Sequence, residues 1–209
     1  MTEREWDSNV DWRDQLSRRL FEQRVVLLHG PLDDLTVTRT AAELMTLDAD
    51  GDTAVSLRID CSEGSLAAAL TLMDVIELLG VPVRALCLGQ VAGPAVGVLA
   101  VCGHRAAMPS TRFVLREPTT QMEAHARDVA QWAQIRAEER QRFCDRVGAA
   151  TGRPPAAVAA DLATGRFLDA DGALAYGLVD EITRPTAEIH QLPGTSGSTS
   201  PPIGFRPSR

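Results

Sequence analysis

Ser62, Ser65, Cys61 and Cys102 are, by type, candidates in this 209-residue chain to attack a carbonyl, with His29 or His104 as a base to take up the displaced proton. Nucleophilic catalysis needs such a hydroxyl or thiol within hydrogen-bond reach of a base that a third group orients. No spacing in the sequence pairs these residues, and Ser62 or Ser65, just ahead of a helical pattern, reads more simply as a helix cap. The cysteines Cys61, Cys87, Cys102 and Cys144 show no Cys-x-x-Cys spacing and lie in apolar or mixed segments, which suits buried reduced thiols. His29, His104, His125 and His190 are scattered, with no His-x-x-x-His or carboxylate cluster to supply three or four ligands, so neither a metal nor another cofactor is expected. Gly93-Pro94 has the composition of a helix start, and Arg116-Glu117 that of a solvated charge pair at a strand end.

The elements that would position these residues alternate between two periods. Arg24-Val-Val-Leu-Leu-His29 is a short apolar run closed by Gly30-Pro31 and predicts a buried strand. Asp33 or Asp34 then caps a helix carrying Val37, Ala41 and Leu44. After the turn Asp50-Gly51-Asp52, residues 54–59 alternate as a strand, and Leu66, Leu70, Met73 and Ile76 repeat at helical spacing up to Gly80. The pattern continues with a strand over 83–88, a small-residue helix over 94–101, a strand over 112–115 and a long helix over 123–150. Short helices over 156–162 and 170–176 and a strand over 177–182 complete it. Such alternation indicates an α/β fold of right-handed βαβ units around a mainly parallel sheet.

Composition limits what such a domain can do. A net charge of −7 repels nucleic acid and anionic membranes alike, so neither is an expected partner. Residues 1–20 are charged and amphipathic, containing Trp6, Trp12 and Leu20, and lack the apolar run of a secretory signal. The apolar stretch 91–101 is about half the roughly 20 residues needed to cross a bilayer. A cytoplasmic protein is expected, with one domain over 21–185 between the charged start and a polar tail over 186–209, the latter expected to be disordered.

The order of motifs over about residues 22–183 resembles the proteolytic subunit of the ATP-dependent Clp protease. Cys87-Leu-Gly-Gln-Val-Ala-Gly93 is similar to that family's Cys-(Met/Ile)-Gly-Gln-Ala-Ala-Ser nucleophile segment. Pro109-Ser-Thr-Arg-Phe-Val-Leu-Arg-Glu-Pro118 is similar to its Pro-Asn-Ser-Arg-Val-Met-Ile-His-Gln-Pro. Arg166-Phe-Leu168 and Ala175-Tyr-Gly-Leu-Val-Asp180 resemble its Asp-Arg-Phe-Leu and Glu-Tyr-Gly-Leu-Val-Asp ending. The fold implied is Clp/crotonase-like, repeated βαβ units with a long handle helix in a single domain.

The resemblance puts the family's catalytic serine on Gly93, its histidine on Arg116 and its aspartate on Gly165, so a degenerate triad is expected. Of the two oxyanion positions, Gly64 keeps its glycine beside Glu63, whereas Pro94 has no N–H to donate. Arg116 and Glu63 are expected to pair across the vacated site. The family also implies a ring, heptameric, homomeric or mixed with other Clp-type subunits, stacked through the handle at 119–124. Ser56 and Arg58 replace tyrosines, and Leu78 a phenylalanine, on the face that takes the family's ATPase, so weak or altered docking is expected. Two functions follow: a peptidase-inactive structural or regulatory subunit, or an enzyme acting through a surrogate site, either as a peptidase or in crotonase-like acyl-CoA chemistry.

Overall fold

The structure, a computed structural model, describes residues 12–118 and 129–183. The start of the long helix over 123–128, the handle segment 119–124, Trp6 and the tail beyond Thr186 lie outside the described residues.

Helix α1 (Trp12–Glu22) leads into strand β1 (Val25–His29), and Asp33 caps α2 (Asp34–Asp50) by accepting the Thr36 N–H at 2.8 Å. Strand β2 (Val55–Cys61) alternates strictly, with Val55, Leu57, Ile59 and Cys61 buried and the residues between them half-buried. Ser65 then caps α3 (Leu66–Leu78), whose Leu66, Leu72, Met73 and Ile76 face the core. Strand β3 (Val83–Ala92) runs four residues past the expected end at Leu88. Every residue of α4 (Ala95–Ala100) is buried, which its small and β-branched side chains permit. A side chain at Gly97 would overlap Phe143 and Met73.

Strands β4 (His104–Ala107) and β6 (Arg166–Leu168) are absent from the periodicity, being too short and too mixed in composition to register as strands. Between them come β5 (Arg112–Leu115), the long α5 (Val129–Thr151) and α6 (Pro155–Thr164). Helix α7 (Ala170–Tyr176) ends at Gly177, which has a left-handed φ of 88°. The final strand, β7, covers only Glu181–Ile182 rather than 177–182, because Gly177 caps the helix and Leu178 donates back to the Ala173 carbonyl at 2.9 Å.

The main sheet has the order β1-β2-β3-β4-β7 and is parallel throughout, while β3 also pairs in parallel with β5, and β5 pairs antiparallel with β6. The apolar stripe on α5 divides in two. Phe143 and Val147 are core, whereas Val129, Trp132 and Ile135 lie on the surface. No described helix is long and apolar enough to cross a membrane.

Arg105 fastens the end of the domain. Its side chain is 12% exposed, pairs with Asp180, and donates to the carbonyls of Ala150 at 3.2 Å and Gly177 at 3.0 Å. One guanidinium thus joins β4, the end of α5, the end of α7 and the approach to β7. The hydrogen bonds that Arg105 donates to Asp180 itself hold that carboxyl below the usual carboxylate range. A depressed folded-state pKa stabilises the fold above the unfolded carboxylate pKa of about 4 and ceases to do so as pH falls below it. Asp180→Asn should therefore lose about 1 kcal/mol in urea unfolding at pH 7, because solvent screens this partly exposed carboxylate, with the difference from the parent shrinking as pH falls below about 4.

Candidate functional site

The site begins where β3 changes neighbours. Up to Cys87 it pairs with β2 and β4, but the register with β2 then jumps from Ile59↔Cys87 to Cys61↔Val91. Gly89 makes this bulge with a φ of 46°, and a Cβ there would stand 2.6 Å from an oxygen of Asp60. That same oxygen accepts the Gln90 N–H at 3.0 Å. Past the bulge, Val91 and Ala92 pair with Phe113 and Val114 of β5. Gly93, at φ 55°, donates its N–H to the Val114 carbonyl at 2.8 Å, and Pro94 is the capping residue of α4 rather than its first residue.

This crossing brings Gly93 against Arg116. A Cβ on Gly93 would lie 3.4 Å from the Arg116 carbonyl oxygen and 3.9 Å from its Cγ. Gly165 closes α6 in the left-handed region at φ 73° and leads directly into β6. Since Leu115 is paired with Arg166, Gly165 is one register step beyond, level with Arg116. The Glu117 N–H secures the same junction by donating to the Leu162 carbonyl at 3.2 Å. All three positions therefore lie at one end of the sheet. Gly93 and Arg116 line both of the cavities described next, whereas Gly165 lines neither.

The smaller cavity, about 240 Å³, has an apolar floor of Leu66, Pro94, Phe143 and Leu162 and is edged by Arg116, Glu117, Arg136 and Arg140. The larger one, about 500 Å³, adjoins it through Gly93, Pro94 and residues 116–118 and continues to Leu32, Asp33, Glu63 and Gly64. Gly64 forms a parallel bridge with Leu32, and any side chain on it would overlap Leu32. The bridge uses the Glu63 carbonyl and the Ser65 N–H, leaving the Gly64 N–H without a hydrogen bond among the described residues.

The expected pairing of Arg116 with Glu63 is not made. Arg116 donates to the Ser62 carbonyl at 2.7 Å instead, while Glu117, expected to pair with Arg116, accepts from Arg140 at 2.9 Å. Arg116 and Glu117 lie just past the end of β5, where the Ser62 carbonyl engages one side chain and a guanidinium from α5 the other.

Ser65 and Cys61 are placed in structural roles, whereas the Ser62 side chain is exposed and makes no hydrogen bond among the described residues. Ser65 accepts the Ala68 N–H at 3.2 Å as a cap, and the Cys61 thiol donates to the Gly30 carbonyl at 2.9 Å. Burial pushes the Cys61 and Cys102 thiols up to about 12 and raises those of Cys87 and Cys144 as well. His29 pairs with Asp60 at 3.3 Å and His104 with Glu181 at 3.8 Å, and neither lines the cavities. Among the described residues no group of three or more His, Cys, Asp or Glu could hold a metal ion. Arg136, Arg140 and Phe143 are lining residues that motif reasoning missed. Their spacing, i, i+4, i+7 on a helix, puts them on one face, but only packing reveals that it is the cleft face.

A parallel sheet whose central strand bulges to engage a second, smaller ladder, with the cleft at the start of a buried helix, is the Clp/crotonase type of α/β fold. The sequence profile of the Clp protease family matches residues 8–186, and the chain belongs to that family. It is 36% identical over 170 residues, 78% of this chain and 80% of the relative, to an ATP-dependent Clp protease proteolytic subunit-like protein of Streptomyces coelicolor. It is 31% identical over 202 residues, 94% of the chain and 96% of the relative, to ATP-dependent Clp protease proteolytic subunit 3 of Rhodococcus jostii. With proteolytic subunit 2 of Thermobifida fusca it shares 29% identity over 181 residues, 84% of the chain and 88% of that protein.

Thiol chemistry checks the surrogate nucleophiles. With every cysteine buried and its thiol held protonated, the native protein should leave all four unreacted with a disulfide dye at pH 8 on the minute scale and release four equivalents on denaturation. One fast-reacting thiol in the native protein would reopen the search for a nucleophile.

Proposed function

We propose that this chain is a peptidase-inactive Clp-type subunit that acts in a ring as a structural or regulatory member. The observation that carries this reading is Gly93 lying directly against Arg116 at the head of the cleft, followed by Pro94. Glycine presents no hydroxyl to attack a carbonyl, and an arginine stays protonated and cannot take the nucleophile's proton. Gly165, level with Arg116, has no side chain to orient an imidazole. Losing such a triad costs on the order of 10⁶ in rate.

The oxyanion side fares no better. Gly64 offers one free N–H, but Pro94 supplies none, and a single missing donor costs roughly 10² to 10³ in rate. The same gap disfavours crotonase-like enolate chemistry, which needs two such donors. Glu63 adds a carboxylate to the wall near which negative charge would develop.

For assembly, the reading is a heptameric ring of Clp-type subunits, homomeric or mixed. Val129, Trp132 and Ile135 give α5 an apolar surface consistent with inter-subunit packing. Docking of an ATPase is expected to be weak, because Ser56 and Arg58 on β2 offer little apolar area, at roughly 25 cal/mol per Å².

Purified protein should not raise the hydrolysis of a fluorogenic apolar peptide above buffer. Gly93→Ser/Arg116→His/Gly165→Asp should remain about 10²-fold or more below the same variant carrying Pro94→Met as well, since only the latter restores an N–H. Turnover by the unmodified chain would overturn the reading. Native mass spectrometry of the chain, alone and with active Clp subunits, should give a heptamer or mixed heptamer. A monomer under every condition would remove the ring.

A further inference from the structure

We infer that the cleft beside Gly93 is a binding site for a carboxylate carried on an apolar residue, specifically the free C-terminus of a peptide ending in an apolar side chain. The inference rests on the inactive reading above, because such a ligand has the chemistry of a released peptide rather than of an intact chain.

Charge and polarity in the smaller cavity select this group. Three arginines, Arg116, Arg136 and Arg140, and a single acidic residue, Glu117, line a cavity with an apolar floor. Arg140 neutralises Glu117 at 2.9 Å. Among the described residues Arg136 pairs only with Glu139 of its own helix at 3.4 Å, and Arg116 is bound to a neutral carbonyl without a carboxylate partner. In a chain of net charge −7 this is a local cationic excess. A guanidinium fork recognises a carboxylate through two parallel hydrogen bonds, and an amide in its place leaves those donors unmatched. The missing side chain at Gly93 leaves the approach to Arg116 open, and Leu66 and Phe143 provide the surface for an apolar terminal residue.

The larger cavity sets the direction of the ligand. Asp33 and Glu63 repel a second negative charge there, so the carboxylate belongs at the arginines and the rest of the ligand extends towards Gly64. The free Gly64 N–H matches a backbone carbonyl. An alkyl tail would desolvate Asp33, Glu63 and Ser65 without compensating hydrogen bonds, whereas a peptide backbone supplies them, which favours a peptide over a fatty acid.

The test is fluorescence anisotropy of the full chain with an amino-terminally labelled tetrapeptide ending in Leu-Phe, compared as free acid and as C-terminal amide. The acid should bind about tenfold or more tightly than the amide, a preference that shrinks as salt is raised. Arg116→Gln/Arg136→Gln, shown folded by circular dichroism, should abolish the preference without weakening the amide, and Arg116→Lys should retain part of it. Equal affinity for acid and amide, no binding of the acid at millimolar concentration, or displacement by decanoate as effective as by unlabelled acid would overturn the inference. Mass spectrometry of a carboxy-terminally extended peptide separates the two readings. Cleavage would sink the inactive assignment, whereas no cleavage and no acid preference would sink this one alone.

Discussion

Strand β3 cannot satisfy its hydrogen-bonding edge with one neighbour, and the bulge at Gly89 is the constraint on which the cleft depends. Its first half completes a parallel ladder with β4, and its second half one with β5. The change needs a left-handed residue packed so tightly against Asp60 that a Cβ would collide, and it needs the Asp60 carboxylate to receive the Gln90 N–H. Without the bulge, Ala92 would not meet Val114, and Gly93 would not reach Arg116. The geometry of the cleft is thus set by strand pairing together with the Asp60 contact.

The residues at the head of the cleft fit this backbone on conformational grounds. Pro94 opens α4 without a donor and without strain, since its φ of −61° already suits a helix start. Gly165 serves equally well as a left-handed cap of α6, a position that favours glycine for its backbone alone. Arg116 is retained by the Ser62 carbonyl, and the cavity floor is built from core residues such as Leu66 and Phe143 that the fold requires in any case. The result is a concave cleft with an apolar floor and arginines among its lining residues.

Most of the elements were legible because their periodicities are strong. The capping Asp33, the alternating β2 and the helix α7 coincide with their sequence expectations. The exceptions share a cause. Strands β4 and β6 are short and held by pairing with partners distant in sequence, and the truncated β7 reflects a Gly177 cap that local pattern does not distinguish from a strand start. The expected link between Arg116 and Glu63 failed for a related reason. Nearness of two charged residues to one cleft does not specify which way each side chain points.

By itself the sequence determined residue identity at each motif position, and with it that Gly93 carries no hydroxyl, Arg116 no imidazole and Pro94 no N–H, because the covalent structure of a residue does not depend on the fold. Tertiary structure alone decided that these positions meet, that Arg136, Arg140 and Phe143 from α5 line the same space, and that Glu117 rather than Glu63 takes part in an ion pair. Those are matters of strand register and helix packing, set by contacts between segments far apart in the chain, and no local pattern of residues encodes them.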